Sequence, residues 1–456
     1  MKSLVFLFLT LSSQHVFSQI KFNDSSTSWQ ELSGQAQKED KLIFVHFESN
    51  SCQQCNEVAS QGFDNSQLTE KFAKNFISIR LNVETENGKA IKDTLQVQGS
   101  LISVFADAYG NILERQNGST NNATVYSDKA DVAISRKGKK GITAYSKEYQ
   151  AGSRSTGFLK EYLDMLKQLD MDNGEVLDEY TAQLPPDSLK HFGIVKFIYQ
   201  QGPTLDSKTY QAIREFTPRK LIDSLHRSVP FQEAVNLNNG IIGHSMRKAI
   251  MKKDLVLAEG AAWFARATYD RDPKQGQIAY EKNMLFYLHA TRDSTEYLRR
   301  AARFIERYYL NISLDSLKGL DQAEKDKMLA VKPKMKDGVT VMSFKFTNPS
   351  QFYPMELNNR AWHFYQLASR KEDLEKALEW SKLAMEWSEA LLLNENNTSI
   401  NGNPSYVDTY AHLLYKLGRK NEAIEWQTKA LERQKRTGQP HGAMETALIK
   451  MKAGTL

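Results

Sequence analysis

From residue 42 to residue 55 the chain reads Leu42-Ile43-Phe44-Val45-His46-Phe47-Glu48-Ser49-Asn50-Ser51-Cys52-Gln53-Gln54-Cys55. Its first six residues are almost all apolar, which is typical of a strand that is covered on both faces. The two cysteines follow this strand directly, where the next helix is expected to begin. A buried strand that leads at once into a helix predicts an α/β domain.

The segments on either side continue this alternation of helices and strands. Trp29, Leu32 and Ala36 have helical spacing after Ser28, and Phe76 to Val83 alternates as a strand. The remaining predicted elements are a helix capped by Asn65, a short helix at 89–95 and a hairpin around Tyr109-Gly110-Asn111. This order predicts a small α/β sandwich with its core at residues 28–114.

Residues 116–147 are polar and rich in Gly, Ser and Asn, with a basic cluster at 136–140. We interpret them as a solvated insertion at the rim of the first domain, with a docking patch for an acidic partner as the alternative. An amphipathic helix at 156–169 follows. The first domain is therefore predicted to span residues 19–170.

Residues 171–456 have few strand signals and clear helical periodicity. Two segments, 356–386 and 406–432, are similar to each other: Ala377 and Ala384 in the first correspond to Ala423 and Ala430 in the second. This second segment resembles the tetratricopeptide repeat, which places small residues where its paired helices cross. The resemblance implies an all-α domain of stacked helical hairpins, whose concave surface often binds proteins.

Composition limits the possible functions. A chain of 456 residues is long enough for two or three domains, and a net charge of +6 is too dilute to indicate a nucleic-acid partner. Residues 1–18 have the charged start and apolar run of a signal peptide, and the run is shorter than the roughly 20 residues that span a bilayer. We therefore expect export, to the periplasm or another extracytoplasmic space, without a membrane span after cleavage.

The cysteine pair carries the chemistry that the sequence suggests. Two thiols three residues apart at the start of a helix can form a disulfide reversibly, because the helix N-terminus stabilises a thiolate. A metal or cluster site would need two further ligands, and the sequence has no second cysteine pair. The spacing of the cysteines alone is compatible with redox activity, with a pair that has lost its redox activity, and with metal binding. Because further ligands are missing, we expect neither a metal nor a cofactor.

The first domain resembles the thioredoxin family. The matching residues are Trp29, the strand 43–47, the pair Cys52 and Cys55, Phe63, the strand around Ile79, and the stretches 97–99 and 105–110. Together with the helical repeats, the chain is similar to exported thioredoxin-like proteins of Bacteroidetes-type bacteria. The resemblance implies that Cys52 is the attacking thiolate and Cys55 the resolving thiol.

Three positions of the expected substrate groove depart from that family. Ser51 stands where a tryptophan usually precedes the first cysteine, and Gln53-Gln54 replaces Gly-Pro between the cysteines. Leu101 replaces the cis-proline that normally faces the disulfide. Because a cis bond before a residue other than proline costs about 2.5–4 kcal/mol, we expect the Ser100–Leu101 bond to be trans.

His46 lies six residues before Cys52, where thioredoxins often bury a carboxylate that relays a proton. An imidazole could do the same work near neutral pH. The alternative is a core histidine whose ring N–H is bonded to a neighbouring carbonyl.

These observations predict an exported thiol–disulfide oxidoreductase. Its partners would be protein disulfides or dithiols and a redox recycling partner, with the helical domain recruiting protein substrates. The alternative is an interaction protein whose thioredoxin-like domain is redox-silent. The direction of the reaction and the oligomeric state are not fixed by the sequence.

Overall fold

The computed structural model describes residues 19–97, 99–330, 348–392 and 402–456. The chain divides into two compact units between Asp172 and Asn173, two residues from the expected end of the first domain at 170. The segment predicted as a signal peptide, 1–18, lies outside the described residues. Within the described ranges, none of the helices is both long enough and apolar enough to cross a bilayer.

The first unit is a mixed sheet with helices, in the predicted order. Ser28 caps the first helix in a reciprocal capping box with Glu31, and Asn65 caps the third as expected. The elements are α1 (Trp29–Glu39), β1 (Leu42–Glu48), α2 (Gln53–Phe63), α3 (Ser66–Asn75), β2 (Phe76–Asn82), α4 (Glu86–Thr94), β3 (Ile102–Ala106), β4 (Ile112–Asn117), α5 (Ala123–Arg136), α6 (Ile142–Gln150) and α7 (Thr156–Gln168).

The sheet has the strand order β2-β1-β3-β4, so β1 is an inner strand. β1 pairs in parallel with β2 and antiparallel with β3, and β4 is antiparallel to β3. Every residue from Leu42 to Phe47 is buried, which confirms the interpretation of its apolar run. One face of the sheet carries Phe44 and Phe105, which pack in a single core with side chains from α2, α3 and α5.

The prediction of a polar insertion at 116–147 is wrong. β4 continues to Asn117, and α5 places Tyr126, Ala130 and Ala133, all fully buried, in the core. The spacing of these three residues puts them on one helical face, while the polar residues that dominated the sequence lie on the other faces. The domain core therefore extends beyond the predicted limit of 114.

The basic cluster within this segment is largely neutralised. Arg136 forms an ion pair with Glu114 at 3.2 Å, Lys137 with Asp40 at 2.8 Å, and Lys140 with Glu148 at 2.7 Å. These pairs tie the end of α5 and the following loop to the rest of the first unit, so three of the four basic side chains of the cluster are paired with a carboxylate.

The second unit is built from helices throughout its described elements. They are α8 (Gly174–Ala182), a 3₁₀ turn (Pro186–Lys190), α9 (Phe192–Gln201), α10 (Lys208–Phe216), α11 (Arg219–Ser228), α12 (Phe231–Lys252), α13 (Leu255–Ala267), α14 (Pro273–Ala290), α15 (Ser294–Tyr308), α16 (Leu314–Ala330), a 3₁₀ turn (Pro349–Gln351), α17 (Phe352–Leu367), α18 (Lys371–Leu392), α19 (Pro404–Lys416), α20 (Lys420–Arg436) and α21 (Gly442–Ala453).

The two predicted repeats fall on the helix pairs α17–α18 and α19–α20. The corresponding small residues Ala377, Ala384, Ala423 and Ala430 are all fully buried, as close helix packing requires. Trp380 is buried against Phe364 with ring centroids 4.8 Å apart. The pairs share one apolar core, and their identity as tetratricopeptide repeats stays a prediction.

Candidate functional site

The two cysteines form a disulfide at the start of α2. Cys52 is the N-cap residue, and its sulfur accepts a hydrogen bond from the backbone N–H of Cys55 at 3.3 Å. Both cysteines are half-buried, so the disulfide is within reach of solvent. A sulfur at this position faces the unpaired N–H groups and the positive end of the helix, which favour the thiolate after reduction.

The loop before Cys52 is held by a carboxylate that the sequence did not indicate. Glu84, just after β2, accepts hydrogen bonds from the Ser49 hydroxyl at 2.7 Å and from the Asn50 backbone N–H at 3.3 Å. The Ser49 and Ser51 hydroxyls are 2.8 Å apart. The hydrogen bond from Ser49 is the main reason that the pKa of Glu84 is lowered. Glu84 therefore remains ionised and fixes the loop that leads to the disulfide.

Two asparagines complete this arrangement. The Asn56 side chain donates to the Ser49 carbonyl at 3.0 Å, which ties the loop to the first turn of α2. Asn82, at the end of β2, donates to the Asn50 side chain at 2.7 Å. The only sequence signal for these residues is their position, since Asn56 follows Cys55 and Asn82 ends a predicted strand.

Ser51, Gln53 and Gln54 are exposed beside the disulfide, as residues of a substrate groove must be. The Gln53 side chain donates to Glu57 at 2.9 Å along α2. The surface next to Cys52 is therefore polar where the thioredoxin family usually presents a tryptophan. Their contact with a substrate stays a prediction.

Leu101 precedes β3 and is half-buried. All peptide bonds of the described residues are trans, including Ser100–Leu101, which agrees with the expectation for a bond that does not precede proline. The Leu101 carbonyl accepts a hydrogen bond from the Gly118 N–H at 2.8 Å. This carbonyl therefore already belongs to the pairing of β3 with β4. Gln98, within the matching stretch 97–99, lies outside the described residues.

His46 is fully buried in β1, on the sheet face that packs under α2. Its Nδ1 lies 2.8 Å from the Ser103 hydroxyl, and its ring packs edge-on against Phe63 with centroids 5.0 Å apart. Nε2 has no hydrogen-bond partner among the described residues. The ring is thus bonded to a hydroxyl rather than to a carbonyl, and neither nitrogen is hydrogen-bonded to a cysteine.

The environment of His46 keeps its ring neutral. Burial, helped by the positive charge of Arg80, lowers the pKa of His46 from 6.5 to about 3. Arg80 lies beside His46 on β2, where it pairs with Glu48 at 3.3 Å and donates to Ser60 at 3.1 Å. A histidine that resists protonation in this way is a poor proton acceptor at neutral pH. The relay role of His46 stays a prediction without a direct contact to support it.

These observations describe a mixed α/β unit with a partly exposed disulfide after an inner strand of its sheet. Residues 26–106 match a thioredoxin-like family model. The match extends from just before α1 to the end of β3 and includes His46 and both cysteines. A search of curated proteins finds no match to the chain. Within the described ranges, no three His, Cys, Asp or Glu side chains are grouped as metal ligands.

Proposed function

We propose that the protein catalyses thiol–disulfide exchange through Cys52 and Cys55. The observation that carries the proposal is the solvent-accessible disulfide at the N-terminus of α2 in a thioredoxin-like unit. Such a disulfide closes a very short loop and adds little stability, so a purely structural role explains it poorly.

In the reducing direction, the Cys52 thiolate attacks one sulfur of a substrate disulfide and releases the other sulfur as a thiolate. The Cys55 thiolate then attacks the Cys52 sulfur of the mixed disulfide, which releases the second substrate thiol. Two electrons pass from the cysteine pair to the substrate, and the pair ends as the disulfide. A recycling dithiol partner must return these two electrons, and the reverse sequence oxidises a dithiol.

We further propose that the protein acts in an extracytoplasmic space and that the helical unit recruits protein partners. The signal-like residues 1–18 and the hairpin pattern of the second unit support these two points. A redox-silent interaction protein is the second candidate. It is favoured by the trans bond before Leu101, because the thioredoxin family normally has a cis-proline at this position facing the disulfide.

The test uses the full chain and two variants. Because the chain has only two cysteines, every thiol signal belongs to this pair. Cys55→Ser should accumulate mixed disulfides on Cys52, and the double variant Cys52→Ser/Cys55→Ser should lose all turnover of a protein disulfide while keeping its fold. Partner capture that persists in the double variant, together with no turnover by the natural protein, would establish the adaptor function instead.

A further inference from the structure

One face of α15 in the helical unit carries four arginines: Arg299, Arg300, Arg303 and Arg307. Their spacing places them on neighbouring turns of the same helical face. Arg299, Arg303 and Arg307 are exposed, and Arg300 is half-buried. This arginine face adjoins two cavities, of about 420 and 720 Å³, and both are lined by Arg299 and Arg303.

The carboxylates that line these cavities are all paired with a cation. Glu296 accepts from Arg299 at 2.7 Å, and Glu281 pairs with Arg300 at 3.2 Å. Across the larger cavity, Lys376 pairs with Glu306 at 3.1 Å, and Arg370 pairs with Asp373 at 2.8 Å.

Arg303 and Arg307 are the cavity cations that form neither an ion pair nor a hydrogen bond with a carboxylate in the described part of the chain. The Arg307 guanidinium lies over the Tyr308 ring, 5.3 Å from its centroid, which leaves its N–H groups available to an anion. The two residues are one helical turn apart, so their guanidinium groups can receive two carboxylates of one peptide.

The larger cavity adds an apolar floor, formed by Leu298, Ala302 and Leu367. A small inorganic anion would leave this floor uncovered, whereas a peptide side chain would cover it. Nucleic acid fits less well, because most of the surrounding positive charge is neutralised by the paired carboxylates and the chain as a whole carries only +6.

We propose that the arginine face of α15 and its two cavities form a docking site for an acidic segment of a protein partner that also carries apolar side chains. The proposal deepens the recruiting role proposed above and rests on it only for the nature of the partner. Arg303 and Arg307 bind the carboxylates of the segment, and the apolar floor holds a neighbouring side chain.

The experiment measures binding of a fluorescein-labelled peptide, Glu-Glu-Leu repeated four times, to the full chain by fluorescence anisotropy at low and at physiological salt. The double variant Arg303→Glu/Arg307→Glu should bind about tenfold more weakly or worse, because two attractive contacts become repulsive. Arg436→Glu is the matched control: it reverses an exposed arginine on α20, away from both cavities, and should leave binding unchanged.

Three outcomes would overturn the proposal: no binding by the natural chain, equal weakening by Arg436→Glu, or tighter binding of a twelve-nucleotide poly(dT) probe than of the peptide. Circular dichroism checks that the variants fold. Because the peptide has no sulfur, its binding is independent of the redox reaction. Turnover of a small disulfide should be unchanged in the double arginine variant, so failure of docking and failure of the proposed function give different results.

Discussion

Replacing His46 tests how strongly the buried core of the first unit depends on a neutral ring. The pKa of His46 is lowered from 6.5 to about 3 by burial, so the unfolded chain takes up a proton at this residue long before the folded chain does. Stability is therefore lost as the pH falls below about 6.5. At pH 5 the loss is about 2 kcal/mol, since each pH unit is worth about 1.4 kcal/mol.

The assay is amide hydrogen exchange of β1, read by mass spectrometry on the full-length oxidised protein at pH 7.5 and pH 5. After correction for intrinsic rates, the natural protein should lose about thirtyfold more protection between these values than His46→Leu, which has no group to protonate there. Comparing the pH dependence of the two proteins cancels the contributions of the other titratable groups. His191→Leu is the matched control, because His191 is exposed and lies in the second unit.

Equal pH dependence in the natural protein and in His46→Leu would show that His46 does not destabilise the fold at low pH. It would mean that the ring is protonated in the folded state at pH 5, with Nε2 bonded to an acceptor. A small change in pH dependence that His46→Leu and His191→Leu both show, relative to the natural protein, would not count for or against the prediction. The absolute stability of His46→Leu is not the test, because this variant also loses the bond to Ser103.

Three further predictions concern the site and the domain boundary. In the reduced protein, the alkylation rate of Cys52 should rise with pH around a midpoint below the free-thiol value of about 8.5, and the midpoint for Cys55 should be higher than that for Cys52. Each midpoint is measured on the single variant that keeps only that cysteine, Cys55→Ser or Cys52→Ser. Faster reaction of Cys55 would reverse their assigned roles. Glu84→Gln removes an exposed negative charge beside the loop that leads to Cys52. The midpoint for Cys52 should therefore move to lower pH, and the alkylation rate of Cys52 at pH 7 should rise by less than about threefold. An unchanged pH profile would limit Glu84 to a structural role. A fragment of residues 19–172 should show cooperative unfolding by circular dichroism, since it comprises the described part of the first compact unit, and a non-cooperative melt would mean that the helical unit is needed to complete its core.

The elements of the first unit could be predicted from the sequence because their signals are local. The apolar run of β1, the cap at Ser28 and the cap at Asn65 each depend on residues within a few positions of one another. The placement of the cysteine pair at the start of α2 followed from the same information. α5 was missed because its polar residues outnumber the three that are buried, and composition over a window does not show which face meets the core.

The α/β order, the helical second half and the position of the cysteine pair can all be predicted from the sequence, since periodicity, caps and a CxxC spacing are contained in short segments. The surroundings of that pair depend on contacts between distant parts of the chain. Ser49 meets Glu84 across 35 residues, and His46 meets Ser103 across 57. These contacts depend on the order and register in which β1 pairs with β2 and β3, and that choice is made by packing the whole sheet against its helices rather than by any local pattern.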